Sequence, residues 1–381
     1  MKAIGIIAEY NPFHNGHFYH IQKIKEKYPD YVIVLVMSGN FTERGEAMII
    51  DKWKRCEIAL KHGVDLVVEL PYPFATQSAD FFAYGAITLL EKLHVEKVIF
   101  GSESNDLETM KTIAEVQVHN DDFDKLVKIY SRMGKNYPTA IACAIEDFTG
   151  KKINTPNDLL GVSYLKTILE NNYSMKAETI QRIGNYHDKE LNTTFSSASS
   201  IREALKRNQP IQGQVPEDTL PYFKNLHFME DYFPILKYKI LTEEELSIYQ
   251  TVEEGIDNVL KKEIEKATSY EDFIKKIKSK RYTYNKISRM LLHILCNFTK
   301  EKAILFKDIC YIRILGFNDL GRSYLNSVKK KIEIPIISKM TKFKDPMLEF
   351  EITTTKIYDL KYQDCIKKEE SKVIYEGGEH D

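Results

Sequence analysis

Three histidines fall within seven positions near the start of the chain, in the stretch AEYNPFHNGHFYH of residues 8–20. His14, His17 and His20 follow an apolar run and precede a helical pattern, and Gly16 lies between the first two. Glycine lacks a Cβ, and the first turn of a helix has N–H groups without internal partners, so an anion can approach the backbone there. Imidazoles beside it can donate hydrogen bonds to phosphate oxygens. The stretch therefore predicts a site that handles nucleotide phosphates.

Two other interpretations of these histidines are weaker. Surface histidines are common, but three in seven residues around a glycine are seldom a coincidence. A zinc site needs three or four converging ligands, and the two spacings of three bring the histidines onto one helical face only if the helix already begins at His14. The five cysteines are scattered and form no C-x-x-C pair, which argues against a zinc site and against a disulfide framework. We predict no protein-bound metal site and a reducing, cytoplasmic location.

The first hundred residues alternate between apolar runs and helical patterns, and these elements must position the histidines. The runs predict buried strands over 2–9, 31–37, 64–70 and 95–100, and helices over 16–27, 51–62 and 79–93. Strands separated by single helices predict an α/β fold, a Rossmann-like doubly wound parallel sheet. Ligands bind such sheets at the carboxyl ends of the strands, where the HNGH, SGN, ELP and FGS segments fall. That placement indicates one shared site.

A change in composition divides the 381-residue chain in two. The pattern over 175–184 predicts a late strand of the same sheet, and SSASSIREALKRN predicts a following helix with hydroxyl caps. Prolines and a glycine cluster in RNQPIQGQVPEDTLPYF, so we place a first domain, which contains the predicted phosphate site, at 1–208 and a second domain at 209–381. The second domain is expected to be mostly helical to about residue 310, with shorter strand-like runs after it. No run approaches the ~18 apolar residues of a membrane span.

The chain's net charge of −1 hides a strong segregation of charge. Residues 275–344 contain 18 lysines and arginines against four acidic residues, and the rest of the chain is correspondingly acidic. Such a segment is typical of a face that binds a polyanion, and tyrosines among the cations can stack on unpaired bases. Lysines on helices often only face water, and tyrosines often fill a core, so this segment alone leaves RNA binding open. The candidate RNA-binding residues, for which the family resemblance described below implies tRNA, are Lys280, Arg281, Tyr282, Tyr284, Lys286 and Arg289.

Several motifs together resemble known families. The H-x-G-H pattern after a first strand resembles the signature of the HxGH nucleotidyltransferase and class I aminoacyl-tRNA synthetase superfamily, and SSASSIR resembles its second, phosphate-binding element. More specifically, the chain resembles the bacterial tRNA(Met) cytidine acetate ligase family, densely through residue 205 and more loosely afterwards. The segments that carry this resemblance are GIIAEYNPFHNGHFYH, MSGNFTERGEAMIIDKW, GVDLVVELP, FGSES, NTPNDLLGVSY and IQRIGNYHD.

The resemblance implies an ATP site in which His14 and His17 are catalytic and act on the α-phosphate. Gly101 would let the adenosine pack closely, and Asn157 and Arg182 would complete the nucleotide contacts; alternatively, Asn157 only caps a helix that begins at Asp158. The implied ATP-binding residues are Ile7, Ala8, Glu9, Tyr10, Asn11, Pro12, Phe13, His14, Asn15, Gly16, His17, Phe18, Tyr19, His20, Gly101, Asn157, Arg182, Ser197, Ser199 and Ser200.

The loop SGNFTERGEAMIIDKWKR is assigned to acetate or to the acceptor. Its candidate residues are Ser38, Gly39, Asn40, Arg44 and Lys52. The family pattern has Gln and Pro where this chain has Glu43 and Ala47, and Glu43 adds a negative charge near a carboxylate substrate. A solvated, salt-bridged loop is the alternative for residues 44–46.

The activity implied by the resemblance is an ATP-dependent acetate ligase, with a nucleotidyltransferase-like ATP-binding catalytic domain at 1–208 and a tRNA-binding domain at 209–381. Acetate would attack the α-phosphorus of ATP, with Mg²⁺ present, and the acetyl-adenylate would acetylate N4 of the wobble cytidine of elongator tRNA(Met). Two alternatives remain: an adenylyltransferase acting on a small phosphorylated acceptor, and a non-catalytic nucleotide- and RNA-binding module. The sequence leaves the oligomeric state open, a homodimer included.

Overall fold

The computed structural model describes residues 1–183, 195–253, 255–279, 282–340, 343–369 and 373–377. Five parallel strands lie in the order β5-β4-β1-β2-β3. Their bounds are β1 Ala3–Ala8, β2 Val32–Ser38, β3 Leu66–Leu70, β4 Lys97–Ser102 and β5 Lys176–Gln181. Each coincides with a strand predicted from an apolar run, to within two residues at most ends. The predicted fold class, a doubly wound α/β sheet, is confirmed.

Helices cross between these strands and cover the sheet. In chain order they are α1 Asn15–Lys27, α2 Lys52–Lys61, α3 Tyr72–Ala75, α4 Ala79–Lys92, α5 Leu107–His119, α6 Asp121–Arg132, α7 Tyr137–Thr149, α8 Pro156–Glu170 and α9 Ala198–Lys206. The predicted cap of α2 is present, because the Asp51 carboxylate accepts hydrogen bonds from the N–H groups of Trp53 and Lys54, both at 3.0 Å. The helices α5 to α7 form an addition beside α8 and wall one side of the carboxyl ends of the strands.

The later part of the chain is mostly helical, as predicted, and its strands extend the same sheet. Its elements are α10 Met229–Thr242, α11 Ile256–Lys266, α12 Tyr270–Ile277, α13 Tyr284–Leu295, α14 Lys300–Leu305, β6 Ile312–Asn318, α15 Asp319–Val328, β7 Ile336–Ile337, α16 Pro346–Tyr358, α17 Ile366–Glu369 and β8 Ile374–Glu376. Strand β6 pairs antiparallel with β3, and β7 and β8 pair parallel with β6. The sheet therefore crosses the division placed at residue 208, which stays a prediction. None of the helices in the described ranges has the length and apolar character of a membrane span.

A cluster of buried charges connects the two parts of the sheet. The Lys52 ammonium lies 2.6 Å from Glu69 and 2.8 Å from Glu369, and the Arg313 guanidinium bonds the same two carboxylates. Glu351 on α16 is fully buried beside them, and burial together with the nearby Glu69 raises its pKa to about 8. Removing one partner from such a cluster leaves an uncompensated buried charge, which costs several kcal/mol. These residues are thus tied to the structure of α2, β3, β6, α16 and α17.

Candidate active site

A cavity of about 920 Å³ opens where the carboxyl ends of β1 and β4 meet. Its walls come from the turn after β1, the loop over residues 42–46, α8, the start of α9 and the start of α13. This is the edge at which parallel α/β sheets bind ligands. The cavity therefore lies where the strand ends predicted one shared site.

His14 and His17 close the start of α1 by a reciprocal pair of hydrogen bonds. His14 is the N-cap residue, and its Nδ1 accepts from the Gly16 N–H at 3.0 Å. The Nδ1 of His17 accepts from the His14 N–H at 3.3 Å, and the two rings stack with centroids 3.8 Å apart. Because both Nδ1 atoms act as acceptors, a neutral ring must have its proton on Nε2. Each imidazole is thus fixed as an Nε2–H donor at a helix N-terminus that already favours an anion.

The surroundings keep these imidazoles uncharged. Burial, together with the nearby cations Arg182 and Arg202, lowers the pKa of His14 to about 3. Burial also lowers the pKa of His17 well below its usual range. His20 lines the same cavity, its pKa is lowered by burial to about 4, and its Nε2 is buried without a hydrogen-bond partner in the described ranges. The histidines of the site are therefore neutral donors rather than fixed positive charges.

Most of the predicted ATP-site residues line this cavity. Those that do are Ile7, Ala8, Glu9, Tyr10, Asn11, His14, Gly16, His17, Tyr19, His20, Gly101, Asn157, Arg182, Ser197 and Ser199. The other five, Pro12, Phe13, Asn15, Phe18 and Ser200, are absent from its walls. Phe13 is fully buried, the Asn15 amide donates to the Gly213 carbonyl at 2.8 Å, and Ser200 lies under Ser197. For these five, contact with ATP stays a prediction.

Glu103 organises the nucleotide-contact residues and was not singled out from the sequence. The Asn157 amide donates to its carboxylate at 2.5 Å, and the Arg182 Nε lies 3.8 Å from the same oxygen. A Cβ added at Gly101 would lie 3.1 Å from the Arg182 side chain. Helix α8 begins at Pro156 with Thr155 as its N-cap residue, so Asn157 does not have the capping role that was its alternative. Asn157 and Arg182 are thus held together beside the cavity.

Arg202 is a second residue that sequence reasoning missed, although it ends the quoted SSASSIR motif. Ser197 caps α9 by accepting the Ser200 N–H at 3.1 Å. One turn later, Arg202 donates to the Asn11 carbonyl at 2.8 Å and lies 3.5 Å from the Glu46 carboxylate. Its guanidinium therefore joins the second motif to the histidine turn at the wall of the cavity.

The predicted acetate or acceptor loop reaches the cavity through Arg44 alone among its five candidates. Ser38, Gly39, Asn40 and Lys52 are buried beneath it. Lys52 is fully buried in the charge cluster, and its backbone N–H donates to Asn40 at 3.0 Å. The assignment of these four to substrate contact is corrected: they stabilise the base of the loop.

Helix α13 packs directly on this loop. Gly45 has φ of +80°, and a Cβ there would lie 2.3 Å from the Arg289 backbone. The Ser288 hydroxyl donates to the Gly45 carbonyl at 2.8 Å, and Arg289 bonds the Glu43 carboxylate. The negative charge that Glu43 adds to the family pattern is therefore compensated by Arg289, which lines the cavity instead of standing free on an RNA-binding face.

The other predicted tRNA-binding residues differ in their placement. Tyr282 is buried and its hydroxyl donates to the Glu253 carbonyl at 2.8 Å, so the prediction that it stacks on a base is corrected. Tyr284 is 38% exposed. The Lys286 ammonium lies 4.5 Å from the centre of the Tyr282 ring. Lys280 and Arg281 lie outside the described residues.

Known proteins and a family model match this sequence over nearly its whole length. Residues 1–372 match the family model of the HIGH Nucleotidyl Transferases. A tRNA(Met) cytidine acetate ligase of Anoxybacillus flavithermus is 43% identical over 378 residues, which cover 94% of each chain. The enzyme of that name from Bacillus subtilis is 36% identical and covers 97% of this chain and 94% of its own.

Two solved structures of Thermotoga maritima TmcAL are also similar, each 30% identical to this chain and covering 99% of it and 100% of its own length. The apo form has a TM-score of 0.92. The form bound with alpha-thio ATP has a TM-score of 0.89.

The lowered pKa values predict the titration of the site. We expect the rings of His14 and His17 to stay neutral between about pH 5 and 8, with Nε2 protonated, whereas ordinary histidines titrate near 6.5. Nitrogen-15 NMR of labelled histidines measures this directly, and His14→Gln and His17→Gln assign the signals.

The same shift makes the stability of the fold depend on pH. The His14 ring takes up a proton near pH 6.5 in the unfolded chain but only near pH 3 in the folded chain. The corresponding stability is therefore fully present above pH 6.5 and is lost as the pH falls through this window. A titration of either ring near pH 6.5 would contradict this account.

Proposed function

The chain belongs to the HIGH nucleotidyl transferase family and, within it, to the tRNA(Met) cytidine acetate ligases, and from this membership we propose its reaction. It uses ATP to activate acetate as acetyl-adenylate and transfers the acetyl group to N4 of the wobble cytidine of elongator tRNA(Met). Acetate and the tRNA are the proposed partners, and the cytoplasm is the proposed location.

The observation that carries the proposal is the pair of neutral Nε2–H donors at the start of α1. In the first step an acetate oxygen attacks the α-phosphorus, a P–O bond forms and pyrophosphate leaves. In the transition state the α-phosphorus is pentacoordinate and its oxygens carry more negative charge. Preorganised donors in a buried site stabilise this charge more strongly in the transition state than in bound ATP. His14 and His17 supply these donors, and the positive end of the α1 dipole lies beside them.

The cations on the cavity wall are suited to the remaining charges. Arg182, Arg202 and Arg44 line the cavity, and arginine can bind phosphate or carboxylate oxygens in a bidentate manner. We assign Arg44 to acetate because it comes from the loop that faces the histidine turn. Mg²⁺ keeps water ligands and binds mainly through substrate phosphates, and the described residues contain no group of three or more His, Cys, Asp or Glu side chains that could hold a metal ion. When bound with ATP, the ion would neutralise charge on the triphosphate.

The position of α13 supports tRNA as the acceptor. Thr283 and Asn285 at its start line the cavity, so the basic segment of residues 275–344 begins at the cavity itself. An anticodon loop bound along this segment would present an unpaired base, for which little unstacking energy is needed. We propose Lys286 and the exposed Tyr284, with Lys280 and Arg281, as part of that surface.

Acetate-dependent exchange of pyrophosphate into ATP tests the first step. We expect exchange only when acetate is present, and we expect His17→Ala to slow it by about 10²-fold or more because one donor to the reacting phosphate is lost. His119→Ala, at the exposed end of α5, is the matched control and should match the wild type. Exchange without acetate would favour an adenylyltransferase with another acceptor. Normal exchange by His17→Ala would refute the role of the histidine.

The salt dependence of tRNA binding tests the basic surface. Lys278→Gln combined with Lys286→Gln should weaken binding and reduce the slope of log affinity against log salt by about 1 per lysine that contacts phosphate. ATP binding should be unchanged. Lys111→Gln combined with Lys125→Gln, on the exposed faces of α5 and α6, removes the same charge elsewhere and should leave the slope unchanged. An unchanged slope in the first variant would place the RNA surface elsewhere.

A further inference from the structure

Tyr164 on α8 lines the cavity and is only 2% exposed. No hydrogen bond joins its hydroxyl to any other residue in the described ranges, and the hydroxyl is not among the side-chain atoms that are sealed from the cavity without a partner. Two buried tyrosines away from the cavity are bonded instead, because the Tyr232 and Tyr358 hydroxyls each donate to a backbone carbonyl, at 2.7 and 2.8 Å. The Tyr164 hydroxyl is therefore available to a molecule inside the cavity.

The surroundings of Tyr164 are built for a small group with one apolar side. Its ring packs edge-on against the Phe100 ring with centroids 5.5 Å apart. Gly161, three residues earlier on α8, makes that packing possible, because a Cβ there would lie 2.4 Å from Phe100. Phe100 also lines the cavity and precedes the predicted adenosine contact Gly101. The Phe100 ring could contact a methyl group of a ligand while the Tyr164 hydroxyl binds a neighbouring oxygen of the same ligand.

The charges near Tyr164 keep its hydroxyl a donor. Burial raises the pKa of Tyr164, and the Glu9 and Glu43 carboxylates raise it further. Glu9 directly follows β1, the strand that leads into the histidine turn, and Phe100 lies in the adjacent strand β4. Tyr164 thus shares the cavity with the ends of the two strands that flank the phosphate-binding turn.

We propose that the Tyr164 hydroxyl donates a hydrogen bond to the oxygen of the acetyl group, with the methyl group against Phe100, and so acts as a catalytic residue in acetyl transfer. The assignment of the acetyl group rests on the proposed function. In the first step one acetate oxygen forms the bond to phosphorus, and Tyr164 holds the other oxygen. In the second step the cytidine N4 forms a bond to the acetyl carbon, the C–O bond to AMP breaks, and the amine proton leaves to solvent. The held oxygen gains negative charge in between, so the donor is most effective in this step.

Binding of two adenylate analogues tests this assignment without any tRNA. The probes are 5′-O-(N-acetylsulfamoyl)adenosine and adenosine 5′-sulfamate, which lacks the acetyl group, measured by calorimetry on the full chain. We expect Tyr164→Phe to bind the acetylated analogue about three- to tenfold more weakly than the wild type and to bind the sulfamate equally well. Phenylalanine keeps the ring, and the lost hydroxyl has no partner in the described fold, so the variant should melt like the wild type. Tyr173→Phe is the matched control, since its hydroxyl bonds Thr88 at 3.1 Å, outside the cavity walls.

Single-turnover transfer to tRNA(Met) gives the second readout. Because the donor acts on a developing charge, Tyr164→Phe should slow transfer by about 10²-fold or more. Equal binding of both analogues by the wild type, or equal effects of the variant on both, would overturn the assignment. So would an unchanged transfer rate. If the wild type forms no N4-acetylcytidine but the acetyl-specific loss of affinity is present, the proposed function fails and the Tyr164 site stands.

Discussion

Two backbone N–H groups at the start of α1 determine what the active site can do. The N–H groups of His14 and Gly16 are bonded to imidazole Nδ1 atoms, and this leaves the Nε2 proton of each ring as the outward donor. A helix start normally leaves such N–H groups to water or to an anion. Here the two side chains that bind them also present new donors to the cavity. The remaining structure can be understood as the means of holding this turn in place and of bringing other charges to it.

The parallel sheet holds the histidine turn directly, and the buried charge cluster supports the sheet farther from the turn. Strands β1 and β4 place the histidine turn beside Gly101, and Arg202 on α9 binds the Asn11 carbonyl within the turn. Farther away, Arg313 on β6 bonds Glu69 on β3 and so attaches the later part of the chain to the sheet. The loop with Glu43 lies between these regions and is held by Arg289 from α13. The proposed RNA-binding segment is thereby fixed to the wall of the catalytic cavity.

The sequence predicted the parallel strands and the histidine turn well because both have local signals. A fully buried strand is a continuous apolar run, and His14 and Gly16 lie at its end in the sequence itself. The functions predicted for Lys52 and Tyr282 were wrong because residue type does not reveal burial. The Lys52 ammonium is paired with carboxylates inside the fold, and the Tyr282 hydroxyl is bonded to a backbone carbonyl. The sequence could not identify Glu103 and Tyr164 as site residues, because the residues they contact, Asn157 and Arg182 for Glu103 and Phe100 for Tyr164, are distant in sequence. The pairing of β6 with β3 could not be predicted either, since an apolar run does not specify the sheet that it joins.

Joining acetate to a cytidine of tRNA(Met) at the expense of ATP can be followed directly by nucleoside mass spectrometry. An elongator tRNA(Met) transcript is incubated with the protein, ATP, Mg²⁺ and isotopically labelled acetate, and we predict N4-acetylcytidine that carries the label. If the cytidine stays unacetylated while AMP and pyrophosphate are released, the acetyl-adenylate reacts with another acceptor. Release of neither AMP nor pyrophosphate would contradict the proposed reaction altogether.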